Sequence, residues 1–177
     1  LQAEPDAGGL GSFNCYSGEP VAGLETGRPM LVRRPDARLT LPNLARATLY
    51  AAMATLRIGM DILLKDEGVR LDSLLGHGGL FKVPGVGQRL LAGALGVPVT
   101  VRSTAGEGGP WGMALLAAYL AEKAAGEPLE HWLDGVFAAG GGSTLPPDAA
   151  DSAGFERFLD DYRRALPVQR AAGETLR

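Results

Sequence analysis

Gly76, His77, Gly78 and Gly79 follow a short apolar run and precede Lys82 and a proline-started segment containing Gln88. Clustered glycines let a chain turn sharply and let a ligand reach main-chain N–H groups. The unpaired N–H groups and positive dipole end of a following helix favour an anion. Residues of these types in this order point to nucleotide binding, with Gly76, His77, Gly78, Gly79, Lys82 and Gln88 as the candidate contacts. A second cluster, Gly106-Glu107-Gly108-Gly109, also precedes a helical segment and supplies further candidate contacts to nucleotide or cleft. Each residue has a plainer explanation: a tight turn for the glycines, a solvated ammonium for Lys82, backbone hydrogen bonding for Gln88, and a dipole-favoured carboxylate for Glu107. His77 has no partner in the sequence that would make it a base.

The elements that must position these residues follow from periodicity. Small apolar runs at Leu10–Tyr16 and Pro29–Val32 suggest short strands within a Gly- and Pro-rich lead-in, residues 1–39. Thr40 can cap a helix, Pro42 suits its first turn, and Ala45, Leu49, Ala52, Leu56, Met60 and Leu63 recur at helical spacing, predicting a helix to about Asp66 that Gly68 ends. Val69–Leu75 reads as a buried strand, Pro84–Leu95 as a helix closed by Gly96, and Val97–Val101 as the next strand. This β-α-β unit predicts parallel strands with a right-handed crossover and ligands outside their carboxyl ends, where both glycine clusters fall. A further helix runs from Trp111 to about Lys123, with Ala-rich faces suited to packing on the sheet. Pro128–Ala138 reads as helical and Ala139–Pro147 as a flexible loop. Ser152–Leu166 reads as a terminal helix with Phe155, Phe158, Leu159 and Tyr162 on one stripe, interrupted by Pro167 before a frayed tail, residues 167–177.

Composition sets the bounds. At 177 residues, a single domain buries about 70% of its unfolded surface, so a core forms without staples. With 46% hydrophobic and 21% charged residues and a net charge of −3, disorder is disfavoured and neither nucleic acid nor an anionic membrane is expected as partner. No uncharged apolar run reaches the roughly 20 residues of a spanning helix. The one cysteine, Cys15, cannot form an internal disulfide, so the chain reads as cytoplasmic, and Cys15 as a small apolar filler. No metal cluster is present in the sequence pattern. The opening on Leu1 predicts an excised domain of a longer polypeptide.

Other templates fit less well. No Gly-Lys-Ser/Thr tripeptide follows a glycine loop, which disfavours a P-loop. The dinucleotide fingerprint lacks its third glycine and its acidic residue, Thr100-Val101-Arg102 standing where the acid belongs, so a small Rossmann-like enzyme is the alternative. A non-catalytic interaction domain is the other. No nucleophile elbow or triad context supports covalent catalysis.

Gly78-Gly79-x-x-Lys82 with Gln88 resembles the "GGGxKSxxWxQ" loop of the FGGY carbohydrate kinases, and Ala105-Gly106-Glu107-Gly108-Gly109-Pro110-Trp111-Gly112-Met113-Ala114 follows in the order expected. Tyr16-Ser17-Gly18-Glu19-Pro20 is similar to that family's "YLSGE" segment. The resemblance spans about Gly9 to Tyr162, with departures at Leu80, Val83 and Val86, and is to the family's C-terminal half. It implies an α/β, actin-like ATPase (ribonuclease H-like) domain, a mixed central sheet flanked by helices, binding ATP with Mg2+. It also implies transfer of the γ-phosphate to a ketopentose, xylulose first and ribulose next. The cofactors and partners so implied are ATP, Mg2+, the sugar and a missing N-terminal domain, with a homodimer left open. The family's aspartate base has its usual place upstream of the matched segment. No catalytic residue and no metal ligand is therefore assigned here, and the chain alone is expected to be inactive.

Overall fold

In the computed structural model, which describes residues 2–138 and 141–176, two small sheets share a core with three of the five helices. β1 (Leu10–Phe13) and β2 (Met30–Arg33) form an antiparallel pair, matching the strands expected in the lead-in. α1 (Leu41–Asp61) begins where Thr40 accepts a hydrogen bond from the Asn43 amide, and a wider π-type turn, Ile62–Asp66, extends it. Gly68, at φ +64°, follows that extension, the left-handed conformation that stops a helix.

β3 (Leu74–Gly76), α2 (Val86–Leu95) and β4 (Val99–Arg102) make the expected β-α-β unit, with Leu74 opposite Val99 in parallel register. The strand is shorter than its apolar run. α2 starts two residues later than Pro84, because Gly85 stands between them at φ +75° and a left-handed residue cannot lie inside a right-handed helix.

α3 (Gly108–Glu122) and α4 (Leu129–Phe137) follow. α3 was expected to pack on the sheet, but it buries none of its side chains and leaves Met113, Leu116 and Leu120 exposed. Its apolar residues run all round the helix rather than along one stripe, so no single face is directed inward. Tyr119 meets Trp132 of α4 edge-on, with ring centroids 5.7 Å apart.

Two expectations for the C-terminal third are overturned. The segment read as a flexible loop contains β5 (Gly142–Leu145), antiparallel to β4, so the sheet order is β3-β4-β5 and the sheet is mixed. The Thr100 and Thr144 hydroxyls hydrogen-bond across the pair at 2.8 Å. Ala139 and Gly140, at the start of that predicted loop, lie outside the described residues. α5 (Ala149–Thr175), capped by Asp148, runs through Pro167 instead of stopping there. Proline removes only one helical N–H bond, and contacts beyond it hold the last turns: buried Gln169 donates to the Arg28 carbonyl at 2.7 Å.

α5 carries the core's aromatic stripe as its spacing predicts. Phe13 stacks on Tyr162 at 4.5 Å between centroids, and Tyr50 meets Phe155 edge-on at 5.1 Å. Each such ring contributes about 1.5–3 kcal/mol by leaving water. Cys15 is buried in the same cluster; burial pushes its thiol pKa up, so it stays neutral and acts as filler. The segment Leu41–Asp66 is, by length and composition alone, long and apolar enough to cross a membrane. Here Arg46 and Arg57 interrupt it, and Ala47, Tyr50, Met53 and Ala54 on it belong to the core.

Candidate functional site

The two glycine clusters, far apart in sequence, meet beyond the carboxyl ends of β3 and β4. Gly78 donates its amide to the Ala105 carbonyl at 2.7 Å. The His77 side chain lies so close to Gly108 that a methyl group on that glycine would come within 2.8 Å of it. The Lys82 stem passes Gly106, and its ammonium pairs with the Glu107 carboxylate at 2.9 Å. Gly78 itself sits at φ +102°, a conformation that disfavours any side chain.

Beside this junction opens a cleft of about 440 Å³. Its walls are the Phe81–Gly85 turn before α2, Val101–Ser103 at the end of β4, Ala105–Gly106, and Gly142–Ser143 of β5, with Gln88 of α2 between them. A cleft at the carboxyl end of a parallel strand pair is where α/β sheets receive ligands. Of the residues expected from sequence, Lys82, Gln88 and Gly106 line it. Gly76, His77, Gly78, Gly79, Glu107, Gly108 and Gly109 do not line it; of these, Gly76 packs against Phe81, Gly78 bonds Ala105 and Glu107 pairs with Lys82, all three partners being lining residues.

The model of the C-terminal domain of the FGGY family of carbohydrate kinases matches residues 1–121 of this chain. The chain belongs to that family. No curated protein matches it by sequence. Among solved structures, a ligand-bound xylulose kinase from Lactobacillus acidophilus superposes with TM-score 0.70 at 17% identity, over 99% of this chain and 34% of its own. A gluconate kinase from the same organism gives 0.69, also at 17% and over 99% and 34% of the two chains. A Plasmodium falciparum glycerol kinase with ADP gives 0.63 at 16%, over 93% and 31%. The fold is therefore the actin-like ATPase fold of these kinases, and the FGGY chain described here spans about a third of their length.

Within this FGGY domain Gln88 is buried, and its amide is fully engaged. Nε2 donates to the carbonyls of Val99 and Ser143, each at 2.7 Å, and Oε1 accepts from the Ser143 hydroxyl at 3.1 Å. One side chain thus ties α2 to both β4 and β5 at the cleft floor. Gln88→Ala is expected to cost about 1–3 kcal/mol, since it strands buried carbonyls, read as a lowered urea midpoint with unchanged slope. Ser143 and Arg102 are cleft residues that the sequence reading missed. For Arg102 a signal existed: a cation directly ends a β-branched strand whose carboxyl end faces the glycines. For Ser143 none did, because only pairing with distant β4 places it. Among the described residues no group of three or more His, Cys, Asp or Glu side chains is placed to hold a metal.

Proposed function

We propose that this FGGY domain is the ATP-binding half of a kinase that phosphorylates a small sugar, a ketopentose with xylulose ahead of ribulose. The observation that carries the nucleotide reading is the junction of the two glycine clusters around Lys82, beside the cleft at the strand ends. The residues fit a nucleotide: the cleft volume is of ligand size, Lys82 brings a mobile cation, and nothing lies within 4 Å of where side chains at Gly78 and Gly79 would project. Mg2+ would enter with the nucleotide, held by its phosphate oxygens and waters; among the described residues no group of three or more His, Cys, Asp or Glu side chains is placed to hold it alone. Bound Mg-ATP would supply the transferable phosphoryl group, and this chain's part is to bind and orient it. Lys82 would exchange Glu107 for phosphate, both side chains being exposed enough to move.

The preference for xylulose rests on xylulose kinases recurring among the solved structures of similar fold, including one from Rhodospirillum rubrum at TM-score 0.65. A cytoplasmic location belongs to the same proposal and rests on the single buried cysteine. The remaining two thirds of a relative's length are proposed to supply the base and most sugar contacts, so this chain alone should show no ketopentose phosphorylation. Calorimetry tests the nucleotide half directly. Mg-ATP binding is expected, weakened about tenfold in Gly78→Val, because strain of about 1–3 kcal/mol at positive φ displaces the loop. Absence of nucleotide binding by the unmutated chain, or turnover of xylulose by it, would refute the corresponding part.

A further inference from the structure

Arg102 ends β4 and lines the cleft alongside Lys82, Gly106 and Ser143. Its guanidinium carbon lies over the ring of Phe137, 4.5 Å from the centroid. An arginine held by its flat face keeps all five N–H donors free around its rim, in the planar fork that matches phosphate oxygens. Among the described residues Arg102 has no carboxylate or hydrogen-bond partner, whereas Lys82 is already paired with Glu107. The ring beneath it comes from α4, beyond residue 121, and so from outside the segment that the family model matches.

We propose that Arg102, held on Phe137, is a phosphate-binding residue of this cleft and grips the polyphosphate of a nucleoside di- or triphosphate. The proposal rests on the nucleotide reading given above. Stacking on an adenine base is the other use of an arginine, but one face of this guanidinium is already taken by Phe137, which favours the edge-on use. The Arg102 guanidinium makes no ion pair among the described residues, so its contact with phosphate does not require the Lys82–Glu107 pair to open.

Titration calorimetry with ADP, inorganic pyrophosphate and adenosine as separate probes tests this. Arg102→Ala is expected to weaken ADP and pyrophosphate about tenfold or more while leaving adenosine unchanged, as loss of a charge-assisted bidentate contact requires. Phe137→Leu keeps the cation but removes its platform, and should weaken ADP and pyrophosphate severalfold. It also carries the test if circular dichroism shows that Arg102→Ala does not fold. Unmutated binding of ADP with no response to either substitution, or a parallel loss of adenosine, overturns the proposal alone. Failure of the unmutated chain to bind ADP or pyrophosphate overturns the nucleotide reading and this proposal together.

Discussion

Asp151→Ala is expected to remove about 3–5 kcal/mol of stability, a large share of a total that is typically about 5–15 kcal/mol. The Asp151 side chain is only 2% exposed and sits between two guanidinium groups. Arg46 Nη1 reaches one oxygen at 2.8 Å, and Arg89 Nε reaches the other. Arg46 is itself 3% exposed at its side chain, so deletion of the carboxylate leaves a cation in the core with no countercharge. Arg89 is the milder partner to remove, because its side chain is 41% exposed and water can take over its solvation. The same triad makes stability fall in acid. Burial alone would raise the Asp151 pKa, but the hydrogen bonds and charges of Arg46 and Arg89 outweigh it and hold the carboxyl below its usual range. Asp61, also working against burial, is held at about 2 by Arg57, Lys65 and Arg163. A folded-state pKa below the unfolded one means that this stability is present above about pH 4 and is lost as pH falls toward 2. Urea midpoints measured from pH 7 to pH 2 should drop across that window, and in Asp151→Ala the drop should be shallower. A loss below about 1 kcal/mol at neutral pH would show that the triad is solvated rather than buried.

What the sequence made legible was local. The three- and four-residue spacing from Ala45 to Leu63, the glycine that follows each of two helices, and the aromatic stripe from Phe155 to Tyr162 each lie within one element, where periodicity reports burial directly. The parallel pairing of β3 with β4 was also legible, because a helix between two apolar runs leaves few other topologies. β5 was hidden for the opposite reason. Gly142-Ser143-Thr144 has loop composition, and it becomes a strand only through Gln88, 55 positions away from Ser143, and through the ladder with β4. Pro167 misled in the same way: its local cost is real, but tertiary contacts such as that of Gln169 with Arg28 override it. At the site, glycine spacing led to the place where the two clusters meet, and the cation at the end of β4 could be read beside them, while its aromatic platform, Phe137 of α4, came into view only in the fold.

Gly154→Ala and Gly135→Ala should move stability in opposite directions although both put a methyl group in place of a helical glycine. Away from other contacts, alanine is favoured over glycine in a helix interior by about 1 kcal/mol. Gly135, in α4, has nothing within 4 Å of where its Cβ would lie, so its substitution should gain up to that amount. Gly154, in α5, faces the main chain of Pro5, and a Cβ there would come within 2.3 Å of the Pro5 carbonyl carbon and oxygen. Backbone cannot rotate aside as a flexible side chain can. That carbonyl is moreover anchored, accepting from the Tyr50 hydroxyl at 3.0 Å and from Arg46 Nη1 at 3.4 Å. Pushing Pro5 away therefore loosens the neighbours of Asp151 as well, and overpacking of this kind costs about 1–3 kcal/mol or more. The net expectation for Gly154→Ala is a loss of about 2 kcal/mol after the propensity gain is set against it. Paired urea titrations of the two variants check the sign. Equal gains in both would mean that α5 does not rest on the chain at Pro5.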